Sequence, residues 1–365
     1  MATALRIAVL PGDGIGPEIV AEAIRVLRAV EEKFTSFRMD FQFHDASVAR
    51  YSRTGVAMPD ETFNDCKAAD AILLGAMGIP EVRLPDGTEV QPEIVLRLRF
   101  SLDLYAGVRP VKYYEGVTSR LMDPRIDYVV MRENTEGLIG ARGGGNVFHD
   151  QVATDTMVIT RYGTAKIVRA SAKLAQARAR KFGRPGKVTC VDKSNILRSY
   201  AFFRKVYDDV MAEFPDLEKD YAYTDAMTVN QILWPERYDV IVTENAFGDI
   251  LSDLGPATVG GMGMAPSGDI GDQHAVFQPS HGSAPTIAGK GIANPIATIL
   301  SAAMMLNWLG ERHPNLKLKQ AADLIDNAVA RFIRKKEGLT VDIGGNGSTK
   351  STGDGIIREI ENTKI

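Results

Sequence analysis

Asp249 and Asp253 stand four residues apart in the stretch Thr243-Glu-Asn-Ala-Phe-Gly-Asp-Ile-Leu-Ser-Asp253. That spacing puts both carboxylates on one face of a helix. Like charges so placed repel by roughly a few tenths of a kcal/mol even in water. A cation between them would remove the penalty, and hard oxygen donors of this kind suit Mg²⁺ or Mn²⁺. A solvated helix start, where acids favour the positive dipole end, accounts for the pair when it is taken alone. Asp225, read as the end of a strand at 221–224, would be a third carboxylate for the metal. Lys193 follows a strand at 188–191. Facing a cleft it could shuttle a proton; otherwise it is simply an exposed lysine. Arg99, Arg109 and Arg132 fall at or near segment ends. Guanidinium forks grip carboxylates through two nitrogens, so three converging arginines would suit a substrate with more than one carboxylate. Each alone could equally be a surface ion pair.

Two further stretches could hold a ligand. Gly12-Asp-Gly14-Ile-Gly16 lies between a strand and a helix, where glycines let a ligand approach the backbone. Position 17 is Pro, so the Gly-x-Gly-x-x-Gly fingerprint is absent and a plain turn is the competing explanation. His281-Gly-Ser-Ala-Pro-Thr286-Ile-Ala-Gly-Lys-Gly-Ile-Ala-Asn294-Pro has a backbone fixed by glycine and proline. In it His281 and Asn294 offer hydrogen bonds to a heterocycle or a ribose.

The elements that must position these residues alternate between strand and helix, which indicates an α/β protein. Strands are expected at 6–10, 41–44, 71–75, 128–131, 188–191, 221–224 and 238–242. An exposed strand is expected at 152–160. Helices are expected at 17–34, 60–69, 94–104, 163–182, 195–214, 295–310 and 318–335. The segments 255–271 and 342–354 read as glycine-rich connections. With 365 residues the chain exceeds the size at which one core usually splits, so two domains are expected. A net charge of −3 gives no electrostatic reason to expect nucleic acid or a membrane surface as partner. Cys66 and Cys190 form neither a disulfide framework nor a metal motif, which fits a reducing compartment. With no signal segment or transmembrane run, a cytoplasmic location is expected.

Several motifs in order give the chain a resemblance. They are Leu10-Pro-Gly-Asp-Gly-Ile-Gly-Pro-Glu18, Arg99 with Arg109-Pro ten residues on, Arg132-Glu-Asn-Thr-Glu-Gly, Val191-Asp-Lys193, Thr224-Asp225-Ala-Met, Gly248-Asp-Ile-Leu-Ser-Asp253 and His281-Gly-Ser-Ala-Pro. Together they resemble the β-decarboxylating dehydrogenases, the family of isocitrate, 3-isopropylmalate, homoisocitrate, tartrate and D-malate dehydrogenases. The resemblance implies a non-Rossmann fold of two α/β domains, residues 1–104 with 258–365 and residues 105–257. It implies a homodimer with shared active sites. Arg99, Arg109 and Arg132 would hold the substrate carboxylates, and Asp225, Asp249 and Asp253 the Mg²⁺ or Mn²⁺. Lys193 and Asp225 would act partly across the dimer. Ile15, His281, Gly282, Ser283, Ala284, Thr286, Ile287 and Asn294 would line the cofactor. The implied chemistry is hydride transfer from C2 of a 2-hydroxy diacid to a nicotinamide, loss of CO₂ and reprotonation of an enolate. Lys193 would help remove the hydroxyl proton.

The chain departs from that pattern in three places. Ile139 stands where the family has a tyrosine taken as the acid for reprotonation, with Tyr128 and Tyr162 as possible substitutes. Thr286 replaces the acid that marks NAD-dependent members. The Lys-Tyr pair of NADP-dependent ones is absent too, so NAD is preferred and NADP stays open. Gln278 stands where members often have Glu. Val95 and Leu96 fall where isopropylmalate enzymes place apolar side chains, and Glu93 replaces the serine of isocitrate enzymes. An alkyl-malate is therefore expected, while Arg97 keeps tartrate and D-malate in play. A regulatory subunit without catalysis is the reading from another class.

Overall fold

The computed structural model describes residues 3–119, 121 and 125–364. Its strands are β1 (Thr3–Leu10), β2 (Phe37–Phe43), β3 (Ala71–Leu74), β4 (Ala106–Lys112), β5 (Asp127–Glu133), β6 (Asn146–Phe148), β7 (Val152–Thr154), β8 (Lys187–Asp192), β9 (Glu218–Tyr223), β10 (Val240–Thr243), β11 (Pro266–Ile270) and β12 (Ala275–Pro279). Ten of them form one mixed sheet in the order β2-β1-β3-β12-β11-β4-β5-β10-β8-β9, and β6 pairs with β7 in a separate two-stranded sheet. Both wings of the sheet are parallel. Its centre, β12-β11-β4-β5, is antiparallel.

The parallel wings carry continuous apolar runs, as strands buried on both faces must. Ile7 to Leu10, Ala71 to Leu74 and Val240 to Val242 are all buried. Helices cover these faces. In helix Leu318–Lys335 the residues Leu318, Ala321, Ile325, Ala328, Val329, Phe332 and Ile333 recur at helical spacing and face the core. That helix joins Gly16–Lys33 and Ile296–Arg312 in the core of the β1 wing. The opposite wing packs against helices Arg161–Phe182 and Arg198–Met211.

The α/β reading holds, with several local corrections. Residues 152–160 are not one strand: β6 and β7 form a hairpin, and Val158 makes an isolated bridge to Gly137. The supposed connection at 255–271 contains β11, which closes the centre of the sheet. Asp225 does not end a strand but lies in the first turn of helix Thr224–Leu233. Within the segment 342–354 a helix, Thr349–Glu361, begins behind a capping box of Ser348 and Ser351. Its glycines hid it. At Gly355 a Cβ would come within 2.2 Å of the Phe332 ring, so the glycine lets two helices approach closely. Among the described residues no helix is long and apolar enough to cross a membrane.

Candidate functional site

The antiparallel centre of the sheet brings the arginines together. Asp269 in β11, Gly107 in β4, Arg132 in β5 and Thr243 in β10 lie in one row across neighbouring strands. Arg109 lies two residues further along β4. Arg99 comes from helix Pro92–Ser101, with Val95 and Leu96 one turn earlier on the same face. All three arginines are buried, and all three line one cavity of about 490 Å³. Val95, Leu96, Met77, Leu138, Ile139, Asp249 and Asp253 line it as well.

Each guanidinium is oriented by its neighbours. Arg99 donates from Nε to Asp269 at 2.9 Å. Arg109 donates to Ser280 Oγ at 2.8 Å and lies 3.6 Å from Asp269, while its buried Nε has no partner among the described residues. Arg132 donates from Nε and Nη2 to Asn245 Oδ1, at 3.0 and 2.8 Å, and its Nη1 pairs with Asp249. Burial lowers the Arg132 pKa to about 10, and the like charge of Arg99 adds to the effect. An unpartnered buried donor beside two more cations is a site for an anion.

Asp249 and Asp253 lie on helix Asn245–Ala257. Glu244 caps it, accepting from the backbone N–H of Ala246 and Phe247 and from the Tyr200 hydroxyl. Desolvation at the cavity wall raises the Asp253 pKa, and the charge of Asp249 raises it further. A divalent cation would relieve that strain, so the pair fits one as part of its coordination shell. Lys193 and Asp225 are elsewhere. They pair with each other at 2.6 Å and neither lines the cavity. Among the described residues of one chain, no three His, Cys, Asp or Glu side chains gather into a metal site. The three-aspartate set is therefore not assembled within one chain.

A second cavity of about 580 Å³ adjoins the first at His281 and Gly282. Ile15, Ala284, Ile287 and Asn294 line it, as the sequence suggests. Burial lowers the His281 pKa, and its buried Nε2 has no partner among the described residues, so a neutral imidazole is available to a ligand. Asn294 is less free than expected: it donates to Asp342 and accepts from the Ile296 N–H. Ser283 and Thr286 do not line this cavity. Ser283 is structural, donating to the Gly78 carbonyl and accepting from the Ile15 N–H. That contact explains Gly14, whose φ is +57°: a Cβ there would lie 2.1 Å from the Ser283 carbonyl oxygen. Thr286 is exposed.

Three readings change. Arg97 turns away from the cavity, donating to the Met58 carbonyl, pairing with Asp60 and stacking on Phe63. It therefore does not weigh against an apolar substituent. Tyr128 is fully buried beneath Gln231, and Tyr162 is exposed; neither lines the cavity that Ile139 faces. Asp269, Ser280, Asn245 and Asp342 were not singled out from the sequence. Asp269 sits in a segment that reads as a loop, and no local pattern distinguishes the others.

Glu133, next to Arg132, is almost wholly buried, and burial raises its pKa to about 7. The folded chain thus keeps this proton up to about pH 7, whereas an unperturbed glutamic acid releases it near 4.5. Stability is expected to fall as pH rises through that window, by up to about 1.4 kcal/mol per pH unit. Urea midpoints at about pH 5 and pH 7 should show the fall in the natural chain and its loss in Glu133→Gln; equal slopes would contradict it.

The model of the family described as isocitrate/isopropylmalate dehydrogenase matches residues 6–356. The chain belongs to the isocitrate/isopropylmalate dehydrogenase family. It is 42% identical over 357 residues to the 3-isopropylmalate/3-methylmalate dehydrogenase of Methanocaldococcus jannaschii, covering 97% of this chain and 98% of that one. It is 42% identical over 371 residues to the 3-isopropylmalate dehydrogenase of Thermobifida fusca, covering 98% of each. The crystal structure of isocitrate dehydrogenase from Methylococcus capsulatus superposes with a TM-score of 0.85 at 34% identity, over 98% of this chain and 100% of that one. That of a β-decarboxylating dehydrogenase from Thermococcus kodakarensis gives 0.79 at 38% identity, over 98% and 96%. This dehydrogenase thus matches these four relatives over essentially their full length.

Proposed function

We propose that the chain oxidatively decarboxylates a substituted malate of the 3-isopropylmalate type, with NAD as hydride acceptor. One observation carries the reading. A single cavity sets three buried arginines and the Asp249–Asp253 pair against an apolar wall of Met77, Val95, Leu96, Leu138 and Ile139. A diacid head with an alkyl substituent matches both sides. The names of the Methanocaldococcus and Thermobifida relatives support the same substrate class.

In this reading Arg99, Arg109 and Arg132 bind and orient the carboxylates. Asp249 and Asp253 hold Mg²⁺ or Mn²⁺, which when bound supplies positive charge for the developing enolate. The apolar wall keeps water from the alkyl group. The second cavity would take the dinucleotide, with Ile15, His281, Ala284, Ile287 and Asn294 offering its contacts. No Lys or Arg among the described residues lines that cavity, and Asp342 does, which supports NAD over a cofactor with an added phosphate.

The remaining groups come from a second copy. Helix Thr224–Leu233 exposes Val229, Ile232 and Leu233, and the neighbouring helix exposes Ile250. A homodimer through this face would cover them and carry Lys193 and Asp225 toward the partner's cavity, with Lys193 taking the hydroxyl proton. The domain division at 1–104 with 258–365 and 105–257 belongs to the same proposal. Sedimentation should give a dimer, and mixing inactive Asp225→Asn with inactive Asp249→Asn chains should restore part of the activity. A monomer, or no recovery on mixing, would contradict shared sites.

The direct test is turnover. The protein with Mn²⁺ and NAD or NADP should reduce cofactor and release CO₂ from 3-isopropylmalate in preference to isocitrate, tartrate or D-malate. No turnover with any of the four would favour a regulatory subunit instead. Ile139→Tyr would put a phenol in the cavity wall. If reprotonation limits the rate, kcat should rise by about tenfold or more. An unchanged kcat would mean another group already serves that step.

A further inference from the structure

Asp269 is a buried carboxylate behind the arginines, 1% exposed, and the reaction proposed above gives it no role. Its Oδ2 accepts from Arg99 Nε and from Gln278 Nε2, both at 2.9 Å. Its Oδ1 accepts from Asn134 Nδ2 at 2.8 Å and lies 3.6 Å from Arg109. Burial opposes its charge, but Arg99 and Arg109 outweigh burial and hold its pKa below the usual value. It is therefore a fixed anion. It also supplies, from the neighbouring strand, an acid beside the position where the family resemblance leads one to expect Glu and the chain has Gln278.

Its place changes the charge of the cavity. Three arginines meet Asp249, Asp253 and Asp269, so positive and negative charges cancel, and Arg142 and Asp155 at the rim cancel each other. A hydroxy diacid adds two negative charges to this charge-balanced space, at whose floor the arginines and Asp269 are buried. Without compensation that is unfavourable. A divalent cation at the aspartate pair offsets both charges.

We infer that Asp269 sets the charge of the cavity so that a 2-hydroxy diacid is held there only together with a divalent cation. This rests on reading the cavity as a hydroxy-diacid site. Asp269 is a positioning residue: it takes the Nε edge of Arg99, and among the described residues the terminal nitrogens of Arg99 have no hydrogen-bond partner.

Titration calorimetry of D-malate into the full chain, with Mg²⁺ or with EDTA, tests this without turnover. The natural chain should bind at least about tenfold more weakly in EDTA. Asp269→Asn removes one buried negative charge close to the arginines and should tighten binding in EDTA by about tenfold or more. The double variant Asp269→Asn/Gln278→Glu returns a carboxylate to the same spot and should restore the Mg²⁺ requirement. A folded Asp269→Asn with unchanged or weaker binding in EDTA overturns the inference. So does a folded double variant that keeps the single variant's behaviour. If Asp269→Asn does not fold, the double variant decides: folded with the natural Mg²⁺ requirement supports the inference, and unfolded, or folded without that requirement, overturns it. Malate binding that needs Mg²⁺, with no turnover of any diacid, would sink the proposed reaction and leave this inference standing. Turnover with equally tight malate binding in EDTA would do the reverse.

Discussion

Replacing Asp249 by Asn is expected to lower metal-supported turnover by about a hundredfold or more, a loss of about 3 kcal/mol in transition-state stabilisation. The fold should hardly notice. The Asp249 side chain is 56% exposed and meets only Arg132 among the described residues. Asn keeps an acceptor oxygen for that contact, and exposed substitutions usually change stability by about 0.5 kcal/mol or less. The amide is neutral, however, and a poor ligand for a hard divalent cation. The rate at saturating substrate should therefore need far more Mn²⁺, while the thermal midpoint stays within about 2 °C. Parallel losses of stability and activity would mean that Asp249 is a structural partner of Arg132 and not a metal ligand.

Gly248→Ala should damage both stability and activity, for a reason visible one residue away. Helix Asn245–Ala257 crosses β5 so closely that a Cβ at position 248 would lie 2.7 Å from Cγ of Arg132, 2.8 Å from its Cβ and 3.2 Å from its Cα. Arg132 cannot yield, because β5 is hydrogen-bonded on both sides, to β4 and to β10. The helix must lift instead. Overpacking of this kind costs about 1–3 kcal/mol. The lift also shifts Asp249 and Asn245 against the Arg132 fork, and a misplacement of about 1 Å can cost on the order of a hundredfold in rate. Denaturant midpoints and kcat/KM should both fall. Gly143→Ala is the control, since nothing among the described residues lies within 4 Å of a Cβ there, and it should be neutral in stability. A Gly248→Ala protein with natural stability would contradict the close approach.

Much of this dehydrogenase was legible in its residues. Continuous apolar runs such as 71–74 announce buried parallel strands, and the 3.6-residue recurrence in 318–335 announces a helix, because burial of one face dictates both patterns. Motif order was enough to indicate the family and, through that resemblance, to point to Val95 and Leu96 as residues that face the substrate. Elements held by contacts rather than by their own pattern were hidden. The strand 266–270 and the helix 349–361 are rich in small and polar residues, and they form because neighbours pair with them or pack against their glycines.

The order of residues names the available groups: three arginines, an aspartate pair at helical spacing, a lysine and a glycine-proline frame around His281. Which of them meet depends on how the strands and helices pack. Arg99, Arg109 and Arg132 converge because the antiparallel centre of the sheet brings β4, β5 and β11 side by side. Arg97, two residues from Arg99, faces away because successive helix positions differ by about 100°. Lys193 and Asp225 stay apart from the aspartate pair within one chain, although all four lie in motifs of the same kind. Asp269 gained its importance only through burial between arginines, since the effect of a charge depends on what surrounds it and not on its place in the chain.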